Sequence, residues 1–434
     1  MQLVLRDALA GRVTSPVCGL CRRLWHRRAG IHSSARRGSA WAAAVQVASN
    51  VVGNVKKRAA NDGMTIDPLT AVAKEMRSLT GNIGKLLGSG HPSLDRVAKY
   101  YSQAQGKHVR PLIVLLMSRA THLCPKKSTA SAPQSADNIN TSISPLRILA
   151  DVNPEAKDLE TPESGSSFDI LPSQRRLAEI TELIHTASLL HDDVIDHSRS
   201  RRGSPSANLE FGNKMAVLAG DFLLGRASVA LARLRDVEVV ELLATAISNL
   251  VEGEFMQLKN TKRDERSPEW SDETLGYYLE KTYLKTASLI SKSCRAAALL
   301  GNVDAATVNA AYAYGRNLGL AFQLVDDMLD YTRSGADLGK PAGADLELGL
   351  ATAPLLFAWK TKPELGALVG RKFEQVGDVQ KARELVIQSD GIEQTRSLAT
   401  EYSVKAIAAI ADFPASEAKD GLVEMAKKTI KRQK

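Results

Sequence analysis

The stretch LLHDDVIDHSRSRRG, beginning at Leu189, sets Asp192, Asp193 and Asp196 inside an apolar helical pattern. A helix turns about 100° per residue, so positions four apart share one stripe, a turn apart. Asp192 and Asp196 therefore lie on one stripe with Asp193 beside them, and His185 continues it seven residues before Asp192. Carboxylates this close repel one another unless a cation sits between them. A few hard oxygen donors, with room left for water and phosphate, suit Mg2+. The same device recurs in FQLVDDMLDYT, where Asp326, Asp327 and Asp330 repeat the spacing and Gln323 stands one turn earlier. Phe322, Val325 and Leu329 supply the apolar face of that second helix. One DDxxD alone reads equally well as a solvated helix face. Two copies, each in apolar surroundings, point to two helices facing each other across a cation-filled cavity.

Basic residues surround both motifs. Arg201 and Arg202 follow the first, and upstream GKHVRP offers Lys107 and Arg110. Lys285 in YLKTASL and Lys340 in DLGKPAGADL accompany the second. Taken singly, each is an ordinary surface charge. Together with six carboxylates they describe a site for a ligand carrying more than one phosphate, with metal bridging carboxylate to phosphate and Arg forks and Lys ammoniums taking the remaining oxygens.

Helices must position these groups. Hydrophobic residues make up 44% of the 434, enough for a large core, while Ala and Leu dominate and strand signals are nearly absent. From about residue 65 the apolar residues recur at three and four, as in DPLTAVAKEMRSLTGNIGKLL and RPLIVLLMSRATHLC. Residues 125 to about 172 turn rich in Ser, Pro, Asn and Asp and read as a flexible surface insertion between two helices. Helical periodicity then resumes to the C-terminus. The expected fold is all-α, a single helical bundle around a central cavity. Because no run of about 18 uninterrupted apolar residues occurs, no transmembrane helix is expected.

Residues 1–50 are different: eight arginines against the single acid Asp7 supply most of the chain's net charge of +9. Such a segment reads as a mitochondrial transit peptide, leaving 51–434 as the helical domain, and not as a nucleic-acid arm. Cys18 and Cys21 have CxxC spacing without a strand–helix context. Four cysteines are too few for a disulfide scaffold.

The motifs GKHVRP, LLHDDVIDHSRSRRG, YLKTASL, AFQLVDDMLDYT and GKPAGADLELGLATAP resemble those of the trans-prenyltransferases, the polyprenyl diphosphate synthases. The likeness covers residues 65–434 apart from the insertion and is greatest to mitochondrial long-chain synthases that make the ubiquinone tail, with a fungal type of insertion. It implies an isoprenoid-synthase fold and about three Mg2+ ions per site. Asp192, Asp193 and Asp196 match the motif that holds metal against the allylic diphosphate, and Asp326, Asp327 and Asp330 match the motif that completes the metal site. Lys107, Arg110, His185 and Arg202 match the isopentenyl diphosphate pocket. Arg201, Lys285, Thr286, Gln323 and Lys340 match allylic-side contacts, with Lys285 also among the catalytic groups.

The resemblance implies that isopentenyl diphosphate is added to a farnesyl or geranylgeranyl diphosphate primer. Metal and cationic groups stabilise the departing pyrophosphate, and the allylic cation is attacked inside a water-poor cavity. Ala187 and Ser188 are small at positions where, in the family, bulky residues stop elongation, which implies a product of about six to ten isoprene units. A homodimer is expected, with a second, different subunit as the alternative, together with a matrix location, peripheral contact with the inner membrane and no nucleic-acid partner. Two rival readings are a class I terpene cyclase and a non-catalytic partner subunit. The repeated DDxxD argues against the first, and the retention of every acidic and basic motif against the second. A phosphohydrolase built on His185, His191 and Asp192 leaves the second DDxxD unexplained.

Overall fold

Helices with an apolar stripe bury it against one another, and those apolar nearly all round, such as the run from Pro111 to Ser118, become the centre of the bundle. In a computed structural model the chain divides into two compact units, residues 1–44 and 45–434. Residues 34–62, 67–103, 108–127, 139–145, 149, 169–201, 203–259, 268–332 and 343–432 are described, and the second unit holds both acidic motifs.

Helix α1 is Ser34–Asp62, succeeded by α2 Ala73–Leu86, α3 Pro92–Gln103 and α4 Val109–His122. The first acidic motif ends α5, Pro172–Ile195. A two-residue hairpin, β1 Ser200–Arg201 and β2 Ser204–Pro205, turns at Gly203, whose φ of +80° favours glycine. Then come α6 Ala207–Phe211, α7 Asn213–Arg233 and α8 Val237–Gln257. Next, α9 Asp272–Thr282 passes through a π-helical turn, Tyr283–Ala287, into α10 Ser288–Leu300. The second acidic motif lies in α11, Ala305–Thr332. The C-terminal part holds α12 Ala344–Glu347, α13 Ala353–Trp359, α14 Leu365–Gly370, α15 Asp378–Ile387, α16 Gly391–Ala409 and α17 Glu417–Lys431. The fold is all-α, as the periodicity indicates.

Two apolar clusters make the core. The larger joins α4, α5, α7, α10 and the first half of α11; the smaller gathers the second half of α11 with α13 to α16 around Trp359. The candidate site lies where α5, α8, the π turn and α11 meet. Proline at the first turn of α5 costs no hydrogen bond there, and the Gln174 side chain accepts from the Leu171 amide at 2.9 Å. Glu179 on the same helix is buried yet paired, with Arg176 at 2.9 Å and Asn82 donating at 2.9 Å. Burial raises its pKa against those partners.

Three expectations meet the structure at their edges. Ala48, Val51 and Val55 of α1 are buried in the larger core cluster, and the compact unit starts at Val45, inside the 1–50 segment. Both ends of the insertion are fastened: Lys127 donates its amide to the Asn302 carbonyl at 2.9 Å, and Ile170 is buried. Between them Ile139 is buried, and Asn140 accepts from Arg176 at 2.7 Å. Residues 128–138, 146–148 and 150–168 of that insertion lie outside the described residues. Finally, α7 is long and apolar enough to cross a membrane by length and composition, despite its scattered charges. Its inner side, including Ala216, Ala219, Leu223 and Ala227, is buried, and the helix packs along α5. Its outer side exposes Leu218 and Val229.

Candidate active site

The end of α5 delivers Asp192 to a cavity of about 550 Å³. Asp192 lines it together with Asp326 from α11, 134 positions further along, while Asp193, Asp196, Asp327 and Asp330 are not among its lining residues, so two of the six motif carboxylates and not all six face it. Arg110, His185, Arg201 and Lys285 supply its other ionisable groups from the expected set, and Ser188, Thr286 and Gln323 line it too. Leu189, Leu250, Leu289 and Phe322 give it an apolar side.

The two adjacent aspartates of each motif have different fates. Asp193 is fully buried and accepts two bonds on one oxygen from Arg201, at 2.8 and 2.6 Å, while Tyr101 donates to the other. Tyr101 in turn accepts from the Ala207 amide at 2.7 Å. Asp193 thereby ties α3, α5, the hairpin and α6 together. In the second motif Asp327 is buried, with Tyr278 donating at 2.5 Å and Gln323 at 2.8 Å. Gln323 also accepts from Thr286 at 2.9 Å, so a chain of hydrogen bonds runs from the cavity wall to the buried carboxylate. Burial raises the pKa of Asp327, and its two donors oppose that shift. Neither Asp193 nor Asp327 lines the cavity. Asp196 ends α5, and its amide donates to the Asp192 carbonyl at 2.8 Å. Asp330 accepts at 3.2 Å from the amides of Ala344 and Asp345 at the start of α12.

Burial dominates the electrostatics of the cavity carboxylates. Burial pushes the Asp192 carboxyl up to about 7; Lys285 pulls against this, and Glu254 and Asp196 reinforce it. Burial likewise pushes Asp326 up to about 6, with Arg432 opposing and Asp327 reinforcing. Among the described residues no three His, Cys, Asp or Glu side chains form a ready-made metal cage. Such a cage is not what Mg2+ needs, because it is commonly held by one or two carboxylates and completed by water and substrate phosphates. The carboxylate oxygens of Asp192 and Asp326, facing one cavity, fit that ion.

His108 and Arg110 pin the start of α4 onto α5. His108, with a left-handed φ of +40°, places Nδ1 3.0 Å from Glu182, and Arg110 Nη1 lies 2.8 Å from His185 Nε2. Lys107, Arg202 and Lys340 lie outside the described residues. Ser188 donates to the His185 carbonyl at 2.8 Å and faces the cavity, whereas Ala187 is fully buried away from it.

Several functional candidates lack any signal of spacing. Lys285 sits in the π turn, a feature common at functional sites, and this turn is wedged between two glycines. A methyl group at Gly253 of α8 would come within 2.7 Å of the Lys285 backbone nitrogen, and one at Gly319 of α11 within 2.6 Å of Ala287 Cα. Glu254 and Gln257 hold the Lys285 ammonium, Tyr101 and Tyr278 hold the buried aspartates, and Arg432 pairs with Asp326. Of these, only Glu254 and Gln257, polar and three apart at the end of an apolar helix, leave a trace in the sequence.

Residues 161–386 match the family model described as Polyprenyl synthetase. A probable hexaprenyl pyrophosphate synthase, mitochondrial, of Neurospora crassa is 74% identical over 95% of this chain and 93% of its own. Decaprenyl-diphosphate synthase subunit 1 of Schizosaccharomyces pombe is 50% identical, over 84% of this chain and 90% of its own. Among solved structures, a Caulobacter crescentus polyprenyl synthase complexed with calcium and isoprenyl diphosphate superposes with a TM-score of 0.68. The two are 32% identical, over 85% of this chain and 98% of that one.

Proposed function

We propose, for a chain that belongs to the polyprenyl synthetase family, that the cavity between α5, α8, the π turn and α11 is where an allylic diphosphate is lengthened by isopentenyl diphosphate. The protein is a prenyltransferase, a mitochondrial long-chain polyprenyl diphosphate synthase that makes the ubiquinone side chain. One observation carries the assignment of the site. Asp192 and Asp326, from distant helices, share a single cavity whose remaining wall sets Arg110, Arg201, Lys285 and neutral polar groups against the apolar Leu189, Leu250, Leu289 and Phe322. That is the pairing demanded by a substrate with a diphosphate head and an isoprenoid tail.

Asp192, Asp196, Asp326 and Asp330 are the carboxylates we assign to Mg2+, about three ions when the diphosphates are present. When bound, Mg2+ neutralises the pyrophosphate as it departs. The chain's own groups do the rest. Lys285, Thr286 and Arg201 hold the allylic diphosphate, with Gln323 orienting Thr286 and Lys340 added from the 333–342 segment. Arg110, kept in place by His185, holds isopentenyl diphosphate, a role that the family resemblance extends to Lys107 and Arg202. Asp193 and Asp327 act through their partners, fixing Arg201 and Gln323. Leu189, Leu250 and Leu289 keep water from the allylic cation, and the proton lost on each addition leaves with the pyrophosphate. The tail runs past Ser188 down the bundle.

The exposed apolar side chains Leu218 and Val229 on α7, with Val251 and Phe255 on α8, support a homodimer through these adjoining helices. The Schizosaccharomyces pombe relative, named a subunit, keeps a hetero-oligomer as the second reading. A transit peptide ending before Val45 suits the burial of Ala48 and Val51.

The test is product analysis with labelled isopentenyl diphosphate, farnesyl diphosphate and Mg2+. A metal-dependent ladder ending at one long product, abolished by Asp192→Ala and by Asp326→Ala, is expected. No condensation by the purified chain would point to an obligate partner, and a cyclic hydrocarbon to a terpene cyclase.

A further inference from the structure

Two polar side chains on the last turn of α8 converge on the Lys285 ammonium. Glu254 Oε2 lies 2.5 Å from Lys285 Nζ, and Gln257 Oε1 accepts from the same nitrogen at 2.9 Å. Standing three apart, they share one face of the helix. An ammonium carries three N–H donors. With two engaged from the α8 side, the direction of the third is set, and Lys285 and Glu254 both line the cavity that holds Asp192. The backbone is registered by the same helix, since Gly253 lets α8 close onto the π turn at Lys285.

A carboxylate beside a polyanion site is at first sight misplaced. Glu254 adds negative charge next to Asp192 and repels a diphosphate. Its presence is coherent if its contribution to Lys285 outweighs that repulsion. A lysine on a four-carbon stem samples many rotamers, and one held by two partners has given up that freedom before the ligand arrives.

We infer that Glu254, seconded by Gln257, is a positioning residue for the allylic diphosphate: it fixes the Lys285 ammonium with its remaining N–H turned to the diphosphate oxygens and stays bonded to it in the complex. This rests on reading the cavity as the diphosphate site. Arg110, 2.8 Å from His185, is the residue assigned to isopentenyl diphosphate, so the effect of Glu254 falls on the allylic substrate.

The experiment uses the full chain as parent, Glu254→Gln and Glu254→Ala. Farnesyl diphosphate and isopentenyl diphosphate are varied separately at saturating Mg2+, with calorimetric binding of the non-reacting farnesyl thiodiphosphate and melting temperature measured alongside. Glu254→Ala should raise the KM for farnesyl diphosphate and the Kd for its thio analogue about tenfold, the scale of one charge-assisted hydrogen bond. Glu254→Gln, which keeps an acceptor, should recover part of that loss, with the KM for isopentenyl diphosphate unchanged. Unchanged farnesyl affinity overturns the inference, as does tighter binding by Glu254→Gln, which would make the pair a competitor. An equal rise for both substrates with a lowered melting temperature also overturns it, marking a merely structural role. If the parent binds the thio analogue without elongating, the proposed function fails while the Kd ratio still decides the inference. A parent that binds neither overturns both.

Discussion

Arg432 donates to the carboxylate of Asp326 across 106 residues of sequence and lays its guanidinium 4.5 Å from the centre of the Phe322 ring. The end of α17 thus sets a cation on one of the two DDxxD carboxylates that line the cavity. Both partners are about a third exposed, so the pair contributes modestly, about 0.2–1 kcal/mol.

A guanidinium on Asp326 competes with a metal ion for it. Arg432→Ala should therefore lower the half-saturating Mg2+ concentration at pH 8 by up to about fivefold, the equivalent of the upper end of that pair energy. Since Arg432 also holds the Asp326 pKa down, the acid limb of the activity profile should move to higher pH in the same variant. Magnesium titrations of product formation at pH 6 and pH 8 check both. An unchanged magnesium requirement would mean that Arg432 leaves Asp326 whenever substrate binds.

Asp192 and Asp326 are legible in the sequence because a carboxylate within an apolar helical stripe is chemically conspicuous. Which of two adjacent aspartates faces the cavity is not legible. Asp192 and Asp193 differ by about 100° around α5, and the outcome depends on where Tyr101 and Arg201 arrive. The π turn is equally silent: YLKTA contains no glycine or proline, and the glycines that accommodate it lie in α8 and α11. Helix periodicity yields the all-α fold since it is a local property. The partners of Lys285 and Asp326 come from elements 28 and 106 residues away, which only packing brings together.

Asp193 should behave as a structural residue where Asp192 does not. Removing one member of a buried, hydrogen-bonded charge pair leaves the other uncompensated, at a cost of about 3–5 kcal/mol. Arg201 keeps some solvent contact, so the lower end applies to Asp193→Ala. Denaturant unfolding should show that loss for Asp193→Ala and none for Asp192→Asn, although both lose elongation activity. Equal stability of the two variants would remove Asp193 from the role of tie between α3, α5 and the hairpin.

Metal-free protein should lose stability as pH rises. Folding lifts the Asp192 carboxyl from the ordinary 3.8 to about 7 and Asp326 to about 6. Between about pH 4 and pH 7 the folded state thus binds more protons than the unfolded chain, and stability falls with pH through that window. Asp192→Asn removes the Asp192 share. Without metal it should melt above the parent by a margin that grows from pH 4 to pH 7 and then levels off, reaching about 1–4 °C. Excess Mg2+ should stabilise the parent and not the variant at pH 8. A pH-independent difference in melting temperature would show that Asp192 is not the group responsible.

Product length should respond to Ser188 and not in the same way to its neighbour. Ser188 faces the cavity, on the same side as Leu189 and one turn from Asp192, so a phenyl ring there narrows the path of the growing tail. Ser188→Phe should keep its affinity for farnesyl diphosphate and stop after one or a few additions, seen as short alcohols when the products are dephosphorylated and separated. Ala187 is fully buried in packed helix, and a phenyl ring there has nowhere to go. Ala187→Phe should instead cost about 1–3 kcal/mol of stability through overpacking, lowering yield and melting temperature, with product length altered only where the helix shifts. If Ser188→Phe makes the parent's product, the tail does not pass this residue, and its route must run along the Leu250 and Leu289 wall at a distance from α5.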